Sequence, residues 1–245
     1  MMDLLEPLRS TNLRDVFVER LEGLILSGAL PIGERLPPER ALAERLGVSR
    51  PVVHEGLVEL AARGLVTMRP RVGTVVNDYR RQGSLTLLGS LVNHAHGDFA
   101  PPLLEGMLGL RRLVQSDAAR LAALNRSAAD LAELDAIVAR EAKVDHGDVD
   151  AVVGLDLAFH HLVALASGNP AYPMLVRSFE PAERNLASQF FAEPTVAVDV
   201  FARHRRIVTA ITARNAPEAV ALMEELLDRG RETLMGILAR RHARS

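Results

Sequence analysis

"GVSRPVVHEGLVELAARGLV", residues 47–66, is the stretch on which the reading of this chain turns. Ser49 stands where a helix N-cap belongs, and Pro51 suits an opening turn, where its missing N–H costs nothing. Gly64 supplies a stop about four turns later, before an apolar run. A helix that begins at Ser49 displays Ser49, Arg50 and His54 at its exposed start. What such a start is for depends on the segments around it.

Upstream, "NLRDVFVERLEGLILSG" puts Leu13, Val16, Phe17, Leu21, Leu24 and Ile25 on roughly one helical face, with Gly28 as the stop. "LPIGERLPPERALAERLGVSR" then has turn signals at Pro31 and Gly33 and a short helix opened by Pro38 and closed at Gly47. Two helices joined by so tight a glycine-containing turn form the helix-turn-helix pattern, whose second helix is shaped to enter a major groove. After Gly64, "LVTM" and "TVVN" are β-prone runs on either side of "RPRVG", which reads as a small hairpin, or wing. Arg40, Arg50, Arg69 and Arg71 stand where phosphates or base edges would lie if the second helix entered a groove. The bland alternative is four arginines on a solvated face. Their positions, rather than their number, favour DNA.

From about residue 83 the pattern changes to long Ala- and Leu-rich helices, expected at 83–97, 101–124, 127–143, 148–168, 171–191, 195–214 and 216–241. The fold class is therefore mainly α. An N-terminal winged helix-turn-helix domain is expected over 1–78, a linker over 79–84 ("YRRQGS"), and an all-α helical bundle over 85–245. With 245 residues and 48% hydrophobic content the chain can bury a real core. It has no cysteine, which excludes disulfides and thiolate metal sites and fits a reducing compartment. No run of about 18 apolar residues is seen and the start lacks a signal-peptide pattern, so a soluble, cytoplasmic protein with no membrane partner is expected. Net charge is −2, so a nucleic-acid surface must be local.

The run from Ser27 to Val76 closely resembles the winged-helix domain of the GntR superfamily of bacterial transcription regulators, through G-x-x-L-P-x-E-R, L-G-V-S-R-x-x-V, L-x-x-L-x-x-x-G-L-V and G-T-x-V. The resemblance implies double-stranded operator DNA as partner, contacted by Arg40, Ser49, Arg50, His54 and the wing from Arg71 through Gly73 to Thr74. His54 stands where relatives usually carry arginine, and Pro70 and Val72 where arginine and glycine are common.

In the second half, "GLDLAFHHLVALASGNP" places Asp156 and His160 one turn apart on an otherwise apolar helical face. "FARHRRIVTAI" sets His204 among apolar positions. Spacing alone leaves two readings open: a metal half-site, or an Asp156–His160 hydrogen bond beside a satisfied core histidine. This half resembles the FCD-type ligand-binding domain of the FadR branch of the same superfamily, through "GLRRLVQSDAARLAA", D-x-x-x-H…ASGNP and H-x-x-I-x-x-A-I. Many such domains hold a divalent metal with one aspartate and three histidines, and an organic acid sits against it. Asp156, His160 and His204 match three ligands; the fourth position is Leu226. The resemblance thus implies three ligands for zinc, nickel or manganese, with Arg111 and Asn169 as candidate effector contacts; Asn169, in "SGNP", reads equally as a helix C-terminal turn residue. Arg112 is one residue along from Arg111, so only one of the two can point inward. Glu225, about 100° away from Leu226 on an ideal helix, is not counted.

The expected function is a dimeric, ligand-responsive repressor sensing a small organic or sugar acid. Fatty acyl-CoA sensing without metal is the alternative, suggested by "GSLTLLGSLVNHA", "LASGNPAY" and "FFAEP". A metal-dependent enzyme is the rival from another class; it would leave the first 78 residues without a role.

Overall fold

The structure, a computed structural model, describes residues 13–84, 87 and 101–242. The chain divides into two units, one ending at His94 and the other beginning at Ala95.

In the first unit, helices α1 (Leu13–Leu26), α2 (Glu39–Leu46) and α3 (Arg50–Ala62) precede strands β1 (Val66–Arg69) and β2 (Gly73–Val76). The buried stripe of α1 is Phe17, Val18, Leu21, Glu22 and Ile25, while Leu13, Val16 and Leu24 are exposed. This corrects the expected face. The cause lies on α3, where a Cβ at Gly56 would come 2.3 Å from the Phe17 ring. Phe17 seats on that bare backbone, which rolls Val18 and Glu22 inward and Val16 outward. The Glu22 carboxylate, 1% exposed, accepts from Arg63 at 2.7 Å, and Arg63 also bonds Glu59.

Gly47 ends α2 in the left-handed conformation at φ 66°, which lets the chain turn into α3 within three residues. Ser49 is the N-cap residue by backbone position, yet its hydroxyl makes no capping hydrogen bond; Pro51 occupies the first turn. The strands pair antiparallel with Val66 opposite Val76 and Arg69 opposite Gly73, leaving Pro70, Arg71 and Val72 as the tip. Residues 33–36 run along the free edge of β2, with Leu36 N–H donating to Thr74 O and Val76 N–H to Glu34 O.

Residues 79–84, expected as a linker, belong structurally to this unit. Asp78 caps a short helix, α4 (Tyr79–Gln82), Ser84 N–H donates to Arg63 O, and Leu87 is buried in the same core. Gly64 makes this return: its φ is +80°, and a Cβ there would lie 2.0 Å from Gln82 O. Apart from Gly83, Ser84 and Leu87, the helix expected over 83–97 lies outside the described residues.

The second unit has helices α5 (Pro101–Asn125), α6 (Ala128–Glu141), α7 (Val149–Ala166), α8 (Ala171–Phe190), α9 (Pro194–Thr212) and α10 (Ala216–His242). Their ends match the expected breaks within a few residues. Ser127 and Asp130 form a capping box on α6, and Asp148 caps α7 through Ala151 N–H. Ala118, Ala119, Ala122 and Ala123, all buried, give α5 a small-residue face for close packing. At the centre is α7, with Val152, Val153, Phe159 and Val163 fully buried. It is long and apolar enough to cross a membrane by length and composition, a run the sequence reading passed over, and its packing is that of a core helix.

Gly56→Ala should lower the stability of the N-terminal unit by about 1–3 kcal/mol, because the added methyl would drive into the buried Phe17 ring and force it to shift. Gly154→Ala in α7, where a Cβ meets nothing within 4 Å, should be neutral or stabilising by up to about 1 kcal/mol. Urea unfolding of both variants checks this; equal effects would show that the Phe17–Gly56 contact does not set the packing.

Candidate functional site

On the N-terminal unit, Arg50 and His54 lie one turn apart on α3, with side chains 67% and 56% exposed. Glu39, the first residue of α2, reaches both. Its Oε1 is 2.8 Å from His54 Nδ1 and its Oε2 is 3.8 Å from Arg50 Nη2. The sequence reading missed Glu39, which at its own position looks like an ordinary acid in a first helical turn. Arg40 is exposed and paired to Glu44 at 2.9 Å, and the Ser49 hydroxyl faces solvent. Arg69, Arg71 and Gly73 cluster at the exposed wing tip, where Arg71 adopts φ 64°. Thr74 departs from the expected set: it is 8% exposed and turned into the unit, because it pairs with Met68 on the inward face of the hairpin. The Arg35 guanidinium lies over Gly73, so close that a Cβ on that glycine would come 3.0 Å from its Nε, and it adds a further cation to the wing.

In the helical unit a cavity of about 240 Å³ is walled by apolar side chains including Met107, Phe179, Leu186, Phe190 and Leu234. Arg111, Asp156, His160 and Glu183 form its polar end. One ligand-capable atom from each of Asp156, His160 and His204 lies within 4.8 Å of the others. Asp156 Oδ1 is 3.9 Å from His160 Nε2 and 3.6 Å from His204 Nε2, too far for hydrogen bonds. The open alternative, a direct Asp156–His160 hydrogen bond, is therefore not what forms. His204 is stacked on Phe159 with ring centroids 3.6 Å apart and is satisfied on one side only: Nδ1 meets Glu141 Oε1 at 2.8 Å, while the buried Nε2 has no hydrogen-bond partner.

An orphaned, buried imidazole nitrogen beside a carboxylate and a second imidazole fits a divalent metal, and Glu141 fits the outer carboxylate that orients a ligating histidine. Bound there, a metal would supply a positive centre for an anionic ligand; Asp156, His160 and His204 would hold it. Leu226 is buried and lines the same cavity, offering carbon where a donor would stand. Glu225 points to the surface and pairs with Arg203 at 2.6 Å.

Arg111 faces the cavity, 3.2 Å from Glu183 Oε1 and 3.7 Å from Asp156 Oδ2, and its buried Nε makes no hydrogen bond. Arg112 also lines the cavity, but its guanidinium pairs with Asp228 and Glu224 on α10, so both arginines stand at its wall, against the expectation that only one would point inward. Asn169 lies away from the cavity: its Oδ1 accepts from Ala171 N–H at 3.0 Å at the start of α8. The turn uses up its side chain, which corrects its assignment as an effector contact. Glu141 and Glu183 escaped the sequence reading, since neither has a helical spacing to the Asp156–His160 pair that would mark it.

Burial dominates the protonation of this cluster. It pushes Glu141 up to about 8 and His204 down to about 4. It also raises Asp156 and Glu183, against the pull of Arg111, and holds His160 well below the usual histidine value. Glu141 therefore contributes stability that is present below its ordinary 4.5 and lost as pH climbs through about 8. His204 contributes stability that is present above its ordinary 6.5 and lost as pH falls through about 4. The two slopes oppose each other between 4.5 and 6.5, and above 6.5 that of Glu141 remains. Metal-free protein should lose on the order of 2 kcal/mol from this group between about pH 6.5 and 8, at about 1.4 kcal/mol per pH unit. Glu141→Gln should remove that loss. Urea unfolding of chelator-treated protein at several pH values checks it; parallel pH profiles would overturn it.

The family model described as "Bacterial regulatory proteins, gntR family" matches residues 13–76, and the FCD domain matches residues 107–229. The HTH-type transcriptional regulator Mce2R of Mycobacterium tuberculosis is 30% identical, over 98% of this chain and 99% of its own length. The fatty acid metabolism regulator protein of Klebsiella pneumoniae is 32% identical over 69% of each chain. Among solved structures, that of Lar, described as controlling expression of the Listeria monocytogenes agr system, superposes with a TM-score of 0.60 at 16% identity over 94% of this chain and 99% of its own, a likeness of fold.

Proposed function

Because this chain belongs to the gntR family of bacterial regulatory proteins and carries an FCD domain, it is a ligand-responsive, DNA-binding transcription regulator and not an enzyme, and we propose that it senses an organic acid through a metal-assisted site. The observation that carries the reading is the convergence of Asp156 and His160, which line the cavity, with the buried His204 behind them and Arg111 beside them. A bound zinc, nickel or manganese ion and the Arg111 guanidinium would both attract a carboxylate, the metal as a point charge and the arginine through its planar fork. The acid's body would lie along the apolar wall. The metal-dependent enzyme reading falls with family membership.

In this proposal the protein acts in the cytoplasm as a homodimer, and each copy reads a half-site of double-stranded operator DNA with α3 in the major groove and the wing alongside. Arg40, Ser49, Arg50, His54, Arg69, Arg71 and Gly73 make the DNA contacts. The acid strengthens or relieves binding only insofar as it prefers one of two arrangements of the protein. Release of the operator, and hence a repressor, is the sense we propose.

A second reading, a fatty acyl-CoA effector without metal, draws on Leu226 and the apolar cavity wall, and on the naming of the Klebsiella pneumoniae relative as a fatty acid metabolism regulator.

Elemental analysis of untagged protein purified without chelator separates the two readings. About one equivalent of metal in the native protein, none in Asp156→Ala or His204→Ala, and roughly tenfold tighter retention in Leu226→His support the metal-assisted reading. Metal-free protein released from its operator by acyl-CoA supports the second. In gel shifts with DNA from upstream of its own gene, Arg50→Ala should abolish specific binding with an unchanged circular-dichroism spectrum; undiminished affinity would remove Arg50 from the interface.

A further inference from the structure

We propose that His54 reads a base amino group as a hydrogen-bond acceptor, and that Glu39 imposes this role by holding the ring proton on Nδ1. The proposal rests on the reading of α3 as the groove-entering helix. The juxtaposition is direct: Glu39 Oε1 lies 2.8 Å from His54 Nδ1, and the ring remains 56% exposed at the start of α3. An ionised carboxylate accepts hydrogen bonds and donates none, so Nδ1 carries the proton in this contact. A neutral imidazole has one N–H, which leaves Nε2 with a free lone pair.

Two charged groups stand at the ring. Glu39 faces it from α2, and Arg50 shares the same carboxylate at 3.8 Å from Oε2. His54 therefore offers the groove an acceptor, one turn beyond the donors of Arg50.

Base edges sort accordingly. In the major groove guanine presents acceptors at N7 and O6, which suit arginine, whereas cytosine N4 and adenine N6 present donors. An acceptor at Nε2 faces guanine lone pair to lone pair and pairs with the amino groups of cytosine or adenine. The position read by residue 54 is thus a cytosine or adenine edge. An arginine in its place would select a guanine edge.

The test is selection of full-length protein on a randomised duplex library at pH 8, with His54→Arg and Glu39→Ala alongside. One position per half-site should change its preferred base pair or strand in His54→Arg, and Glu39→Ala should blur that position most, and the one read by Arg50 more weakly, while the rest of the consensus persists. Atom-specific bases then identify the contact. Replacing adenine by purine nucleoside, or cytosine by 2-pyrimidinone, deletes only the amino group. This should weaken the native protein roughly threefold to tenfold and leave His54→Ala indifferent. Loss of affinity with 7-deazaguanine instead, which lacks the N7 acceptor, would make the ring a donor and overturn the proposal, as would a consensus untouched by His54→Arg or by Glu39→Ala. Enrichment of no sequence at all would overturn the regulator reading itself, and the proposal with it.

Discussion

The helical unit is organised around a desolvation problem. Helix α7 fills the centre of the bundle with valine and phenylalanine, yet it carries Asp156 and His160 inward, where water meets them only through the cavity. A polar atom there is costly unless something answers it. Each neighbouring helix supplies part of the answer: Arg111 from α5, Glu141 from α6, Glu183 from α8 and His204 from α9. The answer is incomplete. His204 Nε2, His160 Nδ1 and Arg111 Nε remain without hydrogen bonds, and a site with unspent donors and acceptors at the end of an apolar cavity is built to be completed by a ligand.

In the N-terminal unit the corresponding constraint is backbone proximity. Phe17 lies against α3 where Gly56 has no side chain, and α4 returns over the turn that follows α3, where Gly64 has none. The buried Glu22–Arg63 pair fastens the same two helices at the other end. With that face of α3 committed to packing, the opposite face at its start is left to solvent, and Arg50 and His54 are displayed there. Glu39 reaches both side chains across the turn, so the face that we propose meets DNA is partly ordered without a partner. Such preorganisation lowers the ordering cost of recognition.

The chain's overall charge of −2 fits this division. In the proposed reading, attraction to a polyanion comes from a few arginines at α2, α3 and the wing tip rather than from a global field, so sequence discrimination depends on where donors and acceptors are placed.

The sequence by itself determined the class of each unit and the ends of most helices, because cap residues, glycines in the left-handed region and prolines act locally. It determined also that Asp156, His160 and His204 belong together, through a family likeness and one helical spacing. Tertiary structure decided the rest. Which face of α1 is buried followed from Gly56, about 40 residues away, and residues 79–84 became part of the first unit because α4 closes over Gly64. Glu141 stands 63 residues from His204, and Glu39 stands 15 from His54, separations at which no periodicity operates. Thr74 turned inward for a like reason, whereas Asn169 was taken up by a local turn two residues long. A side chain's partner across the fold is set by packing, and packing is a property of the whole chain at once.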